Sequence, residues 1–120
     1  MTILSSKLRR SDHPKYGTGE LEHWCPGCET VHGFAIDKPN YYGAKWVWDG
    51  NVEKPSFTPS MNITVNPTGN KYYQAGLSTD VCHYFLKAGE IQFLNDCTHK
   101  FKGQTVSLPD LPNRYAKDWW

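Results

Sequence analysis

The stretch from Val81 to His99 limits the folds open to this chain more than any other stretch does. It holds two short apolar-rich segments on either side of a glycine-containing turn, a pattern that predicts a β-hairpin. A type II′ turn at Gly89-Glu90 places only glycine at positive φ, whereas a type I′ turn at Ala88-Gly89 would place an alanine there. We therefore predict the type II′ turn.

The predicted register decides which side chains meet across this hairpin. It sets Cys82 opposite Cys97 and His83 opposite Asp96, and directly opposed residues have Cβ atoms about 4.5–5.5 Å apart. Neighbouring residues point to opposite faces of a strand. One face would therefore carry two thiols and the other an imidazole and a carboxylate, although a bulge near the turn would change both pairs.

Length and composition predict a mostly β protein. The chain has 120 residues, 14% of them aromatic, with 10 glycines and 8 prolines that interrupt it frequently. We expect one compact domain of antiparallel hairpins with a zinc knuckle, a short turn that carries two metal-binding cysteines. The predicted organisation is an N-terminal arm over 1–18, a zinc-stapled β domain over 19–112 and a C-terminal tail over 113–120.

Charge and hydropathy exclude several classes of function. The formal net charge is +1, so we expect no attraction to nucleic acid or to an anionic membrane. No apolar run reaches the ~20 residues of a membrane helix, and the first residues lack the apolar region of a signal peptide. A cytoplasmic location is the expectation, and in a reducing compartment four cysteines favour metal binding or catalysis over disulfides.

The cysteines predict a structural zinc site. Pro26 and Gly27 form a tight turn between Cys25 and Cys28, which directs backbone N–H groups at the thiolates. The other two cysteines are the pair on the hairpin, and four thiolates indicate tetrahedral Zn²⁺. The predicted ligands are Cys25, Cys28, Cys82 and Cys97, with a second set in which His99 replaces Cys82, and with His32 as a further rival.

The opposite face of the hairpin offers a catalytic pair. A carboxylate at Asp96 would hold one ring nitrogen of His83 as a donor and leave the other free to accept a proton. Ser60, which follows Pro59 at the start of a predicted strand over Met61–Val65, is the candidate nucleophile. The same residues are also compatible with a plain surface hydrogen bond between the histidine and the aspartate.

Further predictions concern the remaining chain. Strands are expected over 30–36 and 104–108, and Trp46-Val47-Trp48 should form a strand that enters a type I′ turn at Asp49-Gly50. The two tryptophans pack in the core or line a groove for an extended peptide. Residues 66–80 should form a loop or flap with Tyr72 and Tyr73 over a cleft, and Trp119 and Trp120 should pack on the body or in an oligomer contact.

The motifs together resemble a known family. They are Cys-Pro-Gly-Cys…His, Trp-x-Trp-x-Gly, Lys-Pro-Ser-Phe-Thr-Pro-Ser, Cys-His-Tyr-Phe, Gly-x-Ile-x-Phe-Leu-x-Asp-Cys-Thr-His and Gly-Gln-Thr-Val-x-Leu-Pro, over roughly 24–112. This pattern is similar to a small zinc-binding family of tailed phages and prophages, often mislabelled ammonia monooxygenase, which also occurs beside bacterial ubiquitin-like conjugation genes. The monooxygenase label does not fit a chain without membrane spans or a copper-type histidine cluster.

The resemblance implies a peptidase or deconjugating role. Its pattern includes Pro59-Ser60, Cys82-His83 and Asp96-Cys97-Thr98-His99. We therefore expect a serine hydrolase of a peptide, isopeptide or ester bond, acting on a protein substrate such as a ubiquitin-like modifier. The alternatives are a non-enzymatic phage protein that binds and inhibits a host protein, and a catalytic zinc site with an open position.

Overall fold

The computed structural model describes residues 2–12, 19–65 and 80–115. These residues form two antiparallel sheets and one short 3-10 helix over Asn113–Tyr115. The first sheet has the strand order β1-β2-β3-β4 and the second has the order β5-β6-β7-β8-β9. The strands are β1 Thr2–Ile3, β2 Arg9–Arg10, β3 Leu21–Cys25, β4 Thr30–Phe34, β5 Val47–Trp48, β6 Phe57–Val65, β7 Asp80–Lys87, β8 Glu90–Phe93 and β9 Thr105–Ser107.

The expected mostly β fold is confirmed, and both sheets contribute to one aromatic core. Phe34 of β4 stacks on Phe57 of β6 with ring centroids 4.0 Å apart and planes 4° apart. Trp46 meets Phe34 edge to face at 5.3 Å, and Tyr84 of β7 is fully buried beside them. Rings bury a large apolar area each, so this small chain builds its core from few residues.

The N-terminal residues are part of the first sheet. Strands β1 and β2 pair with each other, and β2 pairs with β3. Leu8, just before β2, is completely buried in the common core. The N-terminal segment therefore contributes to the core through its described residues.

The hairpin of β7 and β8 exists, but its predicted turn is wrong. Lys87 pairs with Glu90, so the turn residues are Ala88 and Gly89, both at positive φ (48° and 77°). The type I′ geometry matches the twist of the strands, and this outweighs the cost of an alanine in the left-handed region. Relative to the prediction the register shifts by two residues, an even number, so the side chains of β7 keep their predicted faces. The predicted strand pairs Cys82–Cys97 and His83–Asp96 are wrong, because the ladder ends at Tyr84↔Phe93 and residues 96 and 97 lie beyond β8.

The predicted turn at Asp49-Gly50 is also wrong. Strand β5 pairs with β6 through Val47↔Thr58 and Trp48↔Phe57, which leaves a longer loop between them. The carboxylate of Asp49 accepts hydrogen bonds from the backbone N–H groups of Asn51 and Ser56 at 3.0 and 3.2 Å. Side-chain capping therefore organises this loop in place of a two-residue turn.

Two predictions lie outside the described residues, namely the flap with Tyr72 and Tyr73 and the packing of Trp119 and Trp120. Across the described part of the chain, no helix is long and apolar enough to cross a membrane.

Candidate active site and metal centre

Three predicted catalytic residues form one hydrogen-bonded chain. The Ser60 Oγ lies 3.1 Å from Nε2 of His83, and Nδ1 of His83 lies 3.0 Å from Oδ2 of Asp96. Because the carboxylate only accepts, Nδ1 carries a ring proton toward Asp96, and Nε2 is the nitrogen placed to accept the serine proton. This is the arrangement that makes a serine hydroxyl nucleophilic.

Each of these three residues sits on a different local feature. Ser60 lies at a register shift between Phe57 and Met61 on β6, a type of irregularity that re-aims a side chain. His83 is on β7, and its side chain is 24% exposed. Asp96 follows the end of β8, in a turn where Cys97 N–H donates to the Leu94 carbonyl at 3.2 Å. This turn places the Asp96 carboxylate beside His83, where the prediction placed it by direct strand pairing.

The opposite side of β7 faces a cluster of metal-ligating groups. One ligand atom from each member lies within 4.8 Å of the others. The Sγ atoms of Cys25 and Cys82 are 3.9 Å apart, and tetrahedral Zn–S bonds of about 2.3 Å place sulfurs roughly 3.8 Å apart. The members are Cys25, Cys28, His32 and Cys82.

The Cys-Pro-Gly-Cys turn takes the predicted form. The Cys28 N–H donates to Sγ of Cys25 at 3.4 Å, and the Glu29 N–H closes the turn on the Cys25 carbonyl at 2.8 Å. A Cβ at Gly27 would lie 2.4–2.6 Å from ring atoms of His99, so only glycine lets this ring rest on the turn.

The thiols affect one another strongly. Hydrogen bonds from Cys28 and Cys82 lower the pKa of Cys25, and the bond to Cys25 raises the pKa of Cys28 to about 12. Hydrogen bonds with Cys25 and Cys28 raise the pKa of Cys82 as well. Without a cation the cluster favours one negative charge over several, whereas a bound divalent ion stabilises several thiolates together. The donor set therefore fits a metal such as Zn²⁺.

A buried hydrogen-bond network determines which nitrogen of His32 carries the proton and which carries the lone pair. Burial lowers the pKa of His23 to about 4, so its ring is neutral, and its Nδ1–H donates to the Trp24 carbonyl at 3.1 Å. Its Nε2 then accepts the Tyr84 hydroxyl proton at 2.7 Å. Burial raises the pKa of Tyr84, which keeps that proton in place.

The same hydroxyl accepts a hydrogen bond from Nδ1–H of His32 at 3.0 Å. The lone pair of His32 is therefore on Nε2, the nitrogen that a metal would use. Sequence reasoning named His32 only as a rival ligand and did not identify His23 or Tyr84. The pairing of His23 with His32 across β3 and β4 brings these groups together.

Two other predicted ligands lie beside the cluster. Sγ of Cys97 accepts the backbone N–H of His83 at 3.3 Å and lies 3.2 Å from the His83 carbonyl oxygen, which also accepts the Leu94 N–H. His99 accepts the Phe101 N–H at Nδ1, which leaves Nε2–H as a donor 3.4 Å from Sγ of Cys82. The group of four thus differs from the predicted one by His32 in place of Cys97.

A groove of about 1010 Å³ opens next to Ser60. Residues 30–33 of β4 line one side and residues 59–64 of β6 line the other. Trp46 is also part of the wall, whereas Trp48, which stacks on Phe57, is not among the lining residues. Ser60 is therefore reachable from this groove.

Comparison with known proteins identifies the family. No curated protein and no solved structure matches the chain. A family model described as the bacterial ubiquitination-like system serine protease, BubE, matches residues 5–94, three quarters of the chain. The matched region includes Ser60 and His83 and ends two residues before Asp96. The chain therefore belongs to the BubE family of serine proteases of bacterial ubiquitination-like systems.

Proposed function

We propose that this protein hydrolyses a peptide, isopeptide or ester bond formed by a ubiquitin-like protein, with Ser60 as nucleophile. The single observation that carries the proposal is the continuous contact from the Ser60 hydroxyl through His83 to Asp96, at 3.1 and 3.0 Å. Membership of a family described as serine proteases supports the same residue type as nucleophile.

The proposed reaction is acyl transfer in two steps. Ser60 Oγ attacks the scissile carbonyl while Nε2 of His83 takes its proton, and Nε2 then protonates the departing amine or alcohol to leave an acyl-serine. Water attacks this ester with His83 again as base, which releases the acid and restores the serine. Asp96 accepts the Nδ1–H hydrogen bond throughout and stabilises the charged ring.

We propose that zinc has a structural role, with Cys25, Cys28, His32 and Cys82 as its ligands. Four protein ligands fill a tetrahedral site and leave no open position for water. The tautomer of His32 supports its membership. Cys82 and His83 are adjacent on β7, so an ion bound to the first would hold the backbone that carries the second. The predicted ligand Cys97 remains a competitor, and its removal is part of the test below.

A cytoplasmic site of action is consistent with the reduced state of the cysteines. All four are free, and the cluster could not bind a metal after oxidation to disulfides.

The test of catalysis is cleavage of a ubiquitin-like fusion protein. Ser60→Ala and His83→Ala should each lower the rate at least about a hundredfold, with zinc content unchanged. Ser107→Ala, an exposed serine on β9, is the matched control and should cleave normally. A fluorophosphonate should label Ser60 in the unaltered protein. Cleavage that survives in both variants would end the triad proposal.

The test of the metal site is the zinc content of protein purified without added zinc. His32→Ala should lose most of the metal, whereas Cys97→Ala should keep one equivalent. Loss of zinc from Cys97→Ala, with one equivalent kept by His32→Ala, would support the four-cysteine ligand set instead.

A further inference from the structure

We propose that the substrate is bound as an extended chain that adds a strand to the free edge of β6 and ends at Ser60. This inference rests on the proposed function and deepens it, because it specifies how the acyl side of the substrate is recognised. Its first support is the direction of backbone groups on β6.

Hydrogen bonds of β7 show which residues of β6 face outward. The carbonyls of Val81 and His83 accept the N–H groups of Thr98 and Leu94, so the backbone groups of Val81 and His83 point away from β6. Because backbone direction alternates along an antiparallel ladder, the N–H and C=O groups of Cys82 and Tyr84 point toward β6. There these residues pair with Ile63 and Met61. The backbone N–H and C=O groups left pointing away from β7 belong to Asn62 and Thr64.

Those outward groups face the groove. No described strand lies beside residues 60–65 on this edge, because β5 pairs only with Phe57 and Thr58. The groove is lined by Asn62 and Thr64 together with Ser60. An extended peptide fits here because its own backbone can pair with the exposed N–H and C=O groups.

Trp46 closes one end of this edge. Its backbone N–H donates to the Ala35 carbonyl at 2.8 Å, and its indole N–H donates to the Ser60 carbonyl at 3.2 Å. Beyond Ser60 the edge belongs to β5. A strand added to β6 therefore cannot continue past Ser60 and must leave the edge there.

The blocked end and the sense of strand pairing together set the direction of the substrate. All described strand pairs of this sheet are antiparallel, and we take the same sense for the peptide. An antiparallel peptide runs from Thr64 toward Ser60, so it presents its C-terminal end to the nucleophile. The residues before the scissile bond then pair with the edge, and the leaving group turns into solvent. Thr64 lies four positions after Ser60, about 13 Å of extended chain, so roughly four acyl-side residues should be recognised. Such a site accepts an extended C-terminal tail and makes little contact with the leaving group that is joined to the tail.

Peptidyl diphenyl phosphonates that carry one to five alanines test this inference. The labelling rate of Ser60, measured by mass spectrometry, should rise with acyl-side length and level off near four residues. N-methylation of one backbone amide should lower the rate roughly fivefold where that amide faces β6, and should have little effect at the neighbouring amide, which faces away. This alternation of strong and weak positions is expected only for strand pairing.

A pair of protein variants tests the same edge from the other side. Thr64→Pro removes an outward N–H that β7 does not use, so it should cancel the gain from a longer peptide. Thr64→Ala keeps that N–H and should retain the gain. Zinc content and labelling by a bare fluorophosphonate verify that both variants are folded.

Two results would overturn the inference. If the bare probe labels Ser60 while peptide length and amide methylation have no positional effect, the strand-addition mode is wrong and the proposed function stands. If the bare probe leaves Ser60 unlabelled, the proposed function fails and the inference fails with it.

Discussion

At the scale of single residues, the tautomer of one buried histidine connects the core to the candidate metal site. The Trp24 carbonyl determines the proton position on His23, which determines the direction of the Tyr84 hydroxyl and thereby the free nitrogen of His32. All donors in this network have acceptors, and no buried side-chain polar atom lacks a partner within the described residues. A chain of hydrogen bonds of this kind orients a ligand before any metal binds.

Tyr84→Phe tests this network with almost no change in shape. It removes the hydroxyl that His23 and His32 share, so Nδ1–H of His32 loses its acceptor. We expect zinc affinity, measured by chelator competition, to fall about 10–100-fold. Tyr115→Phe is the control, because Tyr115 packs on Trp24 outside the network. Equal affinities in the two variants would contradict the assignment of His32 as a ligand.

At the scale of elements, the hairpin of β7 and β8 carries both candidate sites on its two faces. Cys82 is buried on one side of β7 and His83 lies on the other, as the period of two along a strand requires. The backbone of His83 is held at the end of the ladder by Cys97 and by Leu94. Distortion of this hairpin should therefore affect catalysis and metal binding together.

The turn of this hairpin is under local strain that a single substitution relieves. Ala88→Gly should raise the free energy of unfolding by about 1 kcal/mol, because glycine adopts a φ of 48° without the Cβ penalty. The N–H of residue 88 that donates to Ser56 at 2.7 Å is kept. Urea denaturation gives the measurement.

Ala44→Gly is the matched control for this prediction, since Ala44 is not among the described residues with positive φ. It should lower stability slightly through the greater freedom of the unfolded chain. A fall in stability for Ala88→Gly as well would show that the turn is not strained.

At the scale of the whole molecule, the candidate metal cluster takes its residues from both sheets. Cys25, Cys28 and His32 come from the β3–β4 hairpin of the first sheet, and Cys82 comes from the second. A bound ion would therefore add a link between elements that the common apolar core and the hydrogen bonds of Tyr84 with His23 and His32 already connect. Metal binding of this kind contributes directly to folding.

Removal of the metal should therefore unfold the protein and stop cleavage together. We expect a strong zinc chelator to lower the melting temperature and to reduce activity over the same range of chelator concentration. Activity and circular dichroism followed in one titration provide the measurement. Loss of activity before any loss of structure would indicate a catalytic metal instead.

A buried ion pair ties the N-terminal strands to the rest of the fold. Nε of Arg9 donates to Glu22 at 2.7 Å with side chains 9% and 8% exposed, and Arg9 also donates to the Tyr115 carbonyl at 3.1 Å. Glu22→Ala leaves a buried charge unpaired and should cost about 3–5 kcal/mol of unfolding free energy. Asp37→Ala breaks the exposed pair with Arg10 and should cost less than about 1 kcal/mol. Similar losses in the two variants would contradict the structural role of Arg9.

The sequence by itself determined the β class, the cysteine turn and the faces of β7, because these depend on local chemistry and on a period of two residues. It also named Ser60, His83 and Asp96, whose contact the tertiary structure then supplied through a turn and not through direct strand pairing. The turn at Ala88-Gly89 was predicted wrongly because the match of a type I′ turn to strand twist outweighed the preference of alanine for negative φ. The inclusion of His32 in the metal cluster, its orientation by His23 and Tyr84, and the free edge of β6 beside Ser60 were decided only by tertiary structure. Each of these depends on which strands of two different sheets meet, and that information is not present in any local stretch of the chain.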